Sequence, residues 1–184
     1  MLKKKRLVLL CLLLISCILF ALGTLAFKRM YPLDYQDVVT AYAHEAELPI
    51  SLVNAVICCE SRFRPGAVSS AGACGLMQLT PSTFRELVSE LCLPPNSDLF
   101  DPATNIRCGT YYLQKLIKLF PEPSTALAAY NAGIGNVSEW LADPKYSRDG
   151  RTLHTIPFAE TRKYVKRVLF AQTIYENIYS QKEL

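Results

Sequence analysis

The stretch Pro49-Ile50-Ser51-Leu52-Val53-Asn54-Ala55-Val56-Ile57-Cys58-Cys59-Glu60 is apolar or small at nearly every position and ends on an acid. A run without a polar side, opened by proline at a first-turn position, predicts a helix buried in a core rather than lying on one. Ser61-Arg62-Phe63-Arg64-Pro65 then breaks the helix, so Glu60 stands at its C-terminus. There the negative end of the helix dipole and an apolar wall both disfavour a carboxylate and raise the pKa of the acid. An acid held neutral near pH 7 can give its proton to a leaving group. A glutamate at a helix end is ordinarily a solvated residue, so the weight of the argument falls on its neighbours along the chain.

Outward from this helix the pattern is helix after helix. Asp34 to Glu47 places Val38, Tyr42 and Ala46 on one helical face. Thr80-Pro81 reads as an N-cap followed by proline at the first helical position, opening a helix to about Leu91. Asp101-Pro102 repeats the signal for a longer helix to about Leu119. Ser124 is expected to cap a shorter helix ending at Tyr130, and Asn131 to Gly135 to turn the chain before the segment Asn136 to Leu141. Phe158 to Tyr179 forms the last helix, with Tyr164, Val168, Ala171 and Tyr175 on one side. Hardly any stretch alternates as a strand would. The expected class is mostly α, a compact helical domain whose loops, Pro65 to Leu79 and Asp143 to Pro157, leave room for a cleft.

The N-terminus belongs to a different solvent. Lys3, Lys4, Lys5 and Arg6 precede 21 uncharged residues, Leu7 to Phe27, and Lys28 and Arg29 follow. As a helix this run spans a bilayer core of roughly 30 Å at about 1.5 Å per residue. The heavier cationic flank places the N-terminus in the cytoplasm and the rest of the chain outside. Residues 1–29 are therefore read as an anchor or signal-like segment and residues 30–184 as one catalytic domain. Three forms of the segment fit: an uncleaved membrane helix, a signal peptide cut near Ala21-Leu22-Gly23, or a lipoprotein signal ending at Cys17. The length of the run favours the first, since ten apolar residues continue beyond Cys17.

Of 20 Lys and Arg against 16 Asp and Glu, six cations lie at or before Arg29, which leaves 14 against 16 and a net charge of −2 outside the anchor. That near-neutral domain has no basic face suited to nucleic acid. Five of the seven cysteines, Cys58, Cys59, Cys74, Cys92 and Cys108, lie outside the anchor, an odd number that does not make a disulfide framework. Cys92 and Cys108 either pair across a short loop or remain thiols. His44 and His154 stand alone, and no metal site or cofactor is expected.

Five motifs in order now carry a family resemblance. They are Glu60-Ser61-x-Phe63; Gly75-Leu76-Met77-Gln78; Asn105-Ile106 with Gly109 and Tyr112-Leu113; Ala129-Tyr130-Asn131-Ala132-Gly133; and Ile156-Pro157-x-x-Glu160-Thr161-x-x-Tyr164. Together they resemble the soluble lytic transglycosylase catalytic domain across Tyr35 to Tyr175. The resemblance implies a lysozyme-like helical domain with a substrate cleft. It also implies cleavage of the β-1,4 bond between N-acetylmuramic acid and N-acetylglucosamine in peptidoglycan strands, with cell-wall machinery as possible partners. An anchored, extracytoplasmic domain suits that substrate.

Residue chemistry agrees with this reading. Ordinary glycosidases use two carboxylates, whereas the motifs nearest Glu60 offer no second acid. A lone acid suffices if the substrate's own 2-acetamido carbonyl attacks C1. The resemblance implies that Glu60 then acts as base on the C6 hydroxyl, giving a 1,6-anhydro end. Gly72 and Gly75 let backbone approach the sugar. Gln78 either bonds the acetamido group, holds Glu60, or caps local backbone. Ser69 matches a substrate-contacting serine of the family. Tyr130 is the candidate to orient the acetamido group through its phenol, unless that phenol makes a purely structural bond. Asn131 is expected to fix a turn beside the substrate. Glu160 serves either the cleft or the N-terminal dipole of its helix, with Tyr164 packed near it. Ser61, Gly75, Met77 and Tyr164 are expected as supports. One departure is Thr80, where some members place a cleft-lining methionine.

Three rivals remain at this point. The first is a goose-type lysozyme-like hydrolase of the same bond. The second is a cysteine hydrolase using Cys59 and His154. The third is a wall-binding assembly module without turnover.

Overall fold

The computed structural model describes residues 2–180; the side chains of the Lys3 to Lys5 flank lie outside that description. The chain forms two units, Met1–Leu33 and Asp34–Leu184. The first is helix α1, Leu2–Met30. Its portion Leu12–Met30, with a mean hydropathy of 1.8 and nothing buried, is long and apolar enough to cross a membrane.

The second unit holds α2 (Gln36–Glu45), α3 (Ile50–Ser61), α4 (Pro81–Glu90), α5 (Pro102–Leu119), α6 (Pro123–Ala132), α7 (Ile134–Ala142) and α8 (Ala159–Ser180). Among the described residues no extended strand occurs; isolated bridges pair Val68 with Cys74, Cys74 with Leu79 and Ser147 with Leu153. Every residue of α3 from Ser51 to Cys58 is buried. Helix α8 packs along it most extensively, with α2 on another side. From α8 the inner face Tyr164, Val168, Ala171 and Tyr175 is buried, as its spacing predicts. Helix α5 joins α2, α4 and α6, and α6 joins α7 and α8.

Three helix starts share one device, a proline at the first helical position behind an oxygen that accepts from the next turn. Thr80 Oγ1 accepts from Thr83 N at 3.2 Å, and Asp101 Oδ2 from Thr104 N at 2.8 Å. The third start differs from the sequence expectation. Glu122, not Ser124, caps α6, accepting from Ser124 N at 3.1 Å and Thr125 N at 2.7 Å. The physical reason is Pro123, which occupies the first helical position and puts the cap one residue earlier. Pro49 likewise sits before α3, at its N-cap with ψ 130°, and the helix begins at Ile50. The expected turn from Asn131 to Gly135 contracts to Gly133, whose φ of 90° and ψ of 150° suit glycine alone; Asn131 stays in the last turn of α6. Asn136 Nδ2 donates to Ala132 O at 2.7 Å and closes that end of α6. Cys92 and Cys108 are both free thiols, one exposed and one buried, so the pairing considered for them does not form.

Hydrogen bonds from Thr104 hold the Asp101 carboxyl below the usual aspartate range. A lowered folded-state pKa adds stability above the unfolded value, about 4, and loses it as pH falls through the folded one. Asp101→Ala is expected to cost about 1 kcal/mol at pH 7, with the gap to wild type narrowing below pH 4 in thermal melts.

Candidate active site

Helix α3 ends abruptly behind Glu60. Arg62 and Phe63 both adopt left-handed backbone, φ 53° and 58°, which non-glycine residues rarely take. The Arg62 N–H closes on Cys58 O at 3.1 Å, and Phe63 turns back into the core, 5 % exposed. The chain leaves the helix as a loop, and that loop with Glu60 forms an open cleft of about 440 Å³. Glu60, Ser69 and Gln78 line it together with Arg64, Gly66, Ala67 and Val68.

The Glu60 carboxyl is pushed up to about 7, chiefly by burial, with Tyr164 and Arg167 pulling the other way. Withheld water, rather than the helix dipole, is the main cause. Tyr164, on the inner face of α8, brings its phenol close enough to favour the ionised acid, yet the buried hydroxyl completes no hydrogen bond of good geometry. The approach is thus short of a closed bond. Tyr130 reaches the same acid from α6, its own pKa raised by burial and then by the neighbouring Glu60. Both phenols therefore stay protonated near neutral pH.

The donors of two expected substrate contacts are already committed. Tyr130 Oη donates to Met77 O at 2.8 Å while its ring lies 5.5 Å from that of Tyr112. Gln78, itself left-handed at φ 50°, donates through Nε2 to Ala67 O at 3.1 Å and Gly75 O at 2.9 Å. Ser69 Oγ accepts from Ala73 N at 3.0 Å, which leaves its hydroxyl hydrogen to point elsewhere. No bond joins Gln78 to Glu60 among the described contacts.

The supports lie beneath. Ser61 is buried and donates to Ile57 O one turn back, at 3.2 Å. Gly75, at φ 80°, leaves no room for a Cβ, which would meet the Asn105 amide and Leu99 O. Met77 is fully buried against Gly109, where a Cβ would strike its side chain. Asn131 is half-buried in α6, and Glu160 is exposed on the first turn of α8, one turn before the buried Tyr164.

Asn105 is the organiser that sequence reading named in a motif without a role. Fully buried in α5, it accepts from Met77 N at 2.8 Å and donates to Leu99 O at 2.8 Å and Cys74 O at 3.2 Å. One side chain thereby ties the cleft loop to α5 and to the segment before it. The signal in the sequence is a polar amide on the same helical face as Cys108, Gly109 and Leu116. The Cys59 and His154 pair finds no support: burial pushes the Cys59 thiol up to about 12, far from a nucleophilic thiolate, and His154 is exposed.

A family model described as a transglycosylase SLT domain matches residues 37–152, and one described as a soluble lytic transglycosylase helical domain matches residues 155–183. A soluble lytic murein transglycosylase of Escherichia coli (strain K12) is 38 % identical over 160 residues, covering 84 % of this chain and 25 % of the relative. A membrane-bound lytic murein transglycosylase C of Klebsiella pneumoniae (strain 342) is 34 % identical over 149 residues, 68 % of this chain and 41 % of the relative. The solved structure of an inactive mutant of the lytic transglycosylase Slt from Pseudomonas aeruginosa superposes with a TM-score of 0.71 at 34 % identity, covering 82 % of this chain and 25 % of that one. The chain spans about a quarter of the length of the soluble relatives it matches.

Asn105→Ala strands the buried Met77 N–H and two carbonyls, and is expected to cost about 2–3 kcal/mol in chemical denaturation. Glu60 has a raised folded-state pKa, so its stability contribution is intact below the unfolded value, about 4.3, and is lost as pH rises through about 7. Glu60→Gln should therefore melt like wild type at pH 4 and be more stable at pH 8, by on the order of 2 kcal/mol.

Proposed function

This chain belongs to the transglycosylase SLT domain family, and we propose that residues 30–184 cleave the β-1,4 bond between N-acetylmuramic acid and N-acetylglucosamine in peptidoglycan, leaving a 1,6-anhydromuramic acid end. The observation that carries this reading is Glu60. Burial pushes its carboxyl up to about 7, and it is the only carboxyl group among the described residues lining the cleft.

One carboxyl group must then serve twice. Protonated Glu60 gives its proton to the glycosidic oxygen as the C1–O bond breaks, and the 2-acetamido carbonyl oxygen closes on C1 in place of a protein nucleophile. The Glu60 carboxylate left behind takes the proton of the C6 hydroxyl; O6 attacks C1, the acetamido oxygen departs, and Glu60 is neutral again. No water is consumed. A pKa near the working pH suits an acid that must also be a base.

The remaining hydrogen-bond capacity of the cleft supports a set of contacts. Ser69 has a hydroxyl hydrogen to offer a sugar oxygen. Gln78 has spent its N–H groups on the loop, so its Oε1 is the group left for an acetamido N–H. Tyr130 has given its hydrogen to Met77, and its oxygen serves as an acceptor beside Glu60. Asn131 and Glu160, on the segments after Tyr130 and before Tyr164, are assigned supporting places on the substrate wall. Helix α1 is proposed to anchor the enzyme as a single pass, with the catalytic unit outside the cytoplasmic membrane among the wall machinery.

Mass spectrometry of muropeptides released from purified sacculi tests this reading. Wild type should yield 1,6-anhydro ends, and Glu60→Gln should lose roughly a thousandfold in rate while keeping its fold. Reducing ends instead would identify a hydrolase of the goose-type lysozyme kind. Because the first step needs protonated Glu60, turnover should fall as pH rises through about 7.

A further inference from the structure

The outer face of α8 carries charge of one sign. Arg162, Lys163, Lys166 and Arg167 place four cations within six residues, whereas the chain outside the anchor has a net charge of −2. All four are exposed. Arg162, Lys166 and Phe170 succeed one another at intervals of four and so form one line along the helix, with Lys163 and Arg167 forming the next. This sector lies opposite the buried Tyr164, Val168 and Ala171. None of the four cations enters an ion pair among the described contacts, and the acids of the helix, Glu160 and Glu176, stand toward its two ends. Among the cations sits Phe170, 62 % exposed.

Like charges three and four positions apart repel one another and destabilise a helix left in water. The pairs Arg162 with Lys166, Lys163 with Lys166 and Lys163 with Arg167 all have that spacing. An anionic surface laid along the sector relieves the repulsion, and cations with an aromatic ring among them are the composition of helices that lie on anionic bilayers. The chain keeps such a surface close. Helix α1 ends at Met30 and the second unit begins at Asp34, and the four steps of backbone between them extend to at most about 14 Å. A unit held to a bilayer by so short a tether meets its headgroups at high effective concentration.

We propose that this face of α8 docks its unit on the anionic phospholipid leaflet beside α1, with the four cations against phosphodiester headgroups and Phe170 among the upper acyl carbons. The inference rests on the reading of α1 as a membrane anchor. Each Lys or Arg near the surface adds attraction to the headgroups. A bilayer is favoured over a soluble polyanion because the ring of Phe170 gains only from an apolar phase. A tether alone leaves the unit free to turn, whereas a docked α8 fixes its bearing on the bilayer. The charge of Arg167 also bears on Glu60, so this arginine is kept in every variant of the test.

The test is the fluorescence of the full chain carrying Phe170→Trp, assembled into lipid nanodiscs whose acyl chains are brominated near the glycerol. The single native tryptophan, Trp140, is buried, and the wild-type chain supplies its background. In discs containing phosphatidylglycerol the added indole should lose about half its emission to contact with bromine, and little in discs of phosphatidylcholine alone. High salt should restore the emission, and so should Lys163→Glu combined with Lys166→Glu. The charge-reversed chain should melt no lower than its parent, since both positions are exposed and like-charge pairs are removed. Equal quenching in the two kinds of disc, quenching in neither, or quenching that survives the charge reversal would overturn the proposal. So would a soluble polyphosphate that shields the indole in detergent as well as the bilayer does, which would assign the face to an anionic polymer. A chain that enters neither kind of disc would sink the anchor reading and the proposal together, whereas a disc-bound chain without quenching leaves the anchor standing.

Discussion

Helix α3 is buried on every side from Ser51 to Cys58, and the rest of its unit is arranged to make that possible. Eight successive buried residues, Ser51 to Cys58, need neighbours on every side, and α2 and α8 supply them. Burial on this scale is favourable through the apolar residues and costly through the polar ones. Asn54 is satisfied by Ile50 O and Gln36, and Ser61 by Ile57 O. Glu60 is the residue at which this accounting is left open. It is half-buried at the helix end, and the cost of charging it there appears as a raised pKa. The same dry packing that stabilises the helix therefore creates the acid.

The shape and polarity of the cleft then depend on the loop that follows. The left-handed residues Arg62 and Phe63 turn the chain out of α3, and the loop returns to run under the cleft as far as Thr80, the cap of α4. Such a segment has few helical bonds of its own, and its buried polar groups need partners. Asn105 partners two of them, Met77 N and Cys74 O, and the Gln78 amide closes the loop on itself at Ala67 and Gly75. Tyr130 ties α6 to the same loop at Met77. Hydrogens spent in this way are no longer available to a ligand, so the cleft presents an acceptor at Gln78 and a donor at Ser69. Loop closure and the polar groups left open in the cleft are set by one allocation of protons.

Much of the fold was legible from local signals because those signals act over three or four residues. Thr80-Pro81 and Asp101-Pro102 mark helix starts through sterics and a cap within one turn. The inner face of α8 shows in a spacing of three or four. Where two local signals competed, the reading slipped by a residue or two. Ser124 was a good cap in isolation, but Pro123 claimed the first helical position and gave the cap to Glu122. Gly133 alone sufficed to turn the chain between α6 and α7.

The sequence by itself determined the apolar N-terminal helix, the succession of helices after it, and the identity of Glu60 as the acid at the end of the buried one. Each of these depends on neighbours close along the chain. Tertiary structure decided what that acid meets: Tyr130 from α6, Tyr164 from α8, and a loop held by Asn105, a residue 28 positions from the Met77 that it grips. It also decided that the hydrogens of the Tyr130 phenol and the Gln78 amide are used within the protein, and that Glu160 stays exposed. A hydrogen-bond partner and a loss of water both depend on which atoms come within a few ångströms, and distances of that kind are fixed only when distant segments pack together.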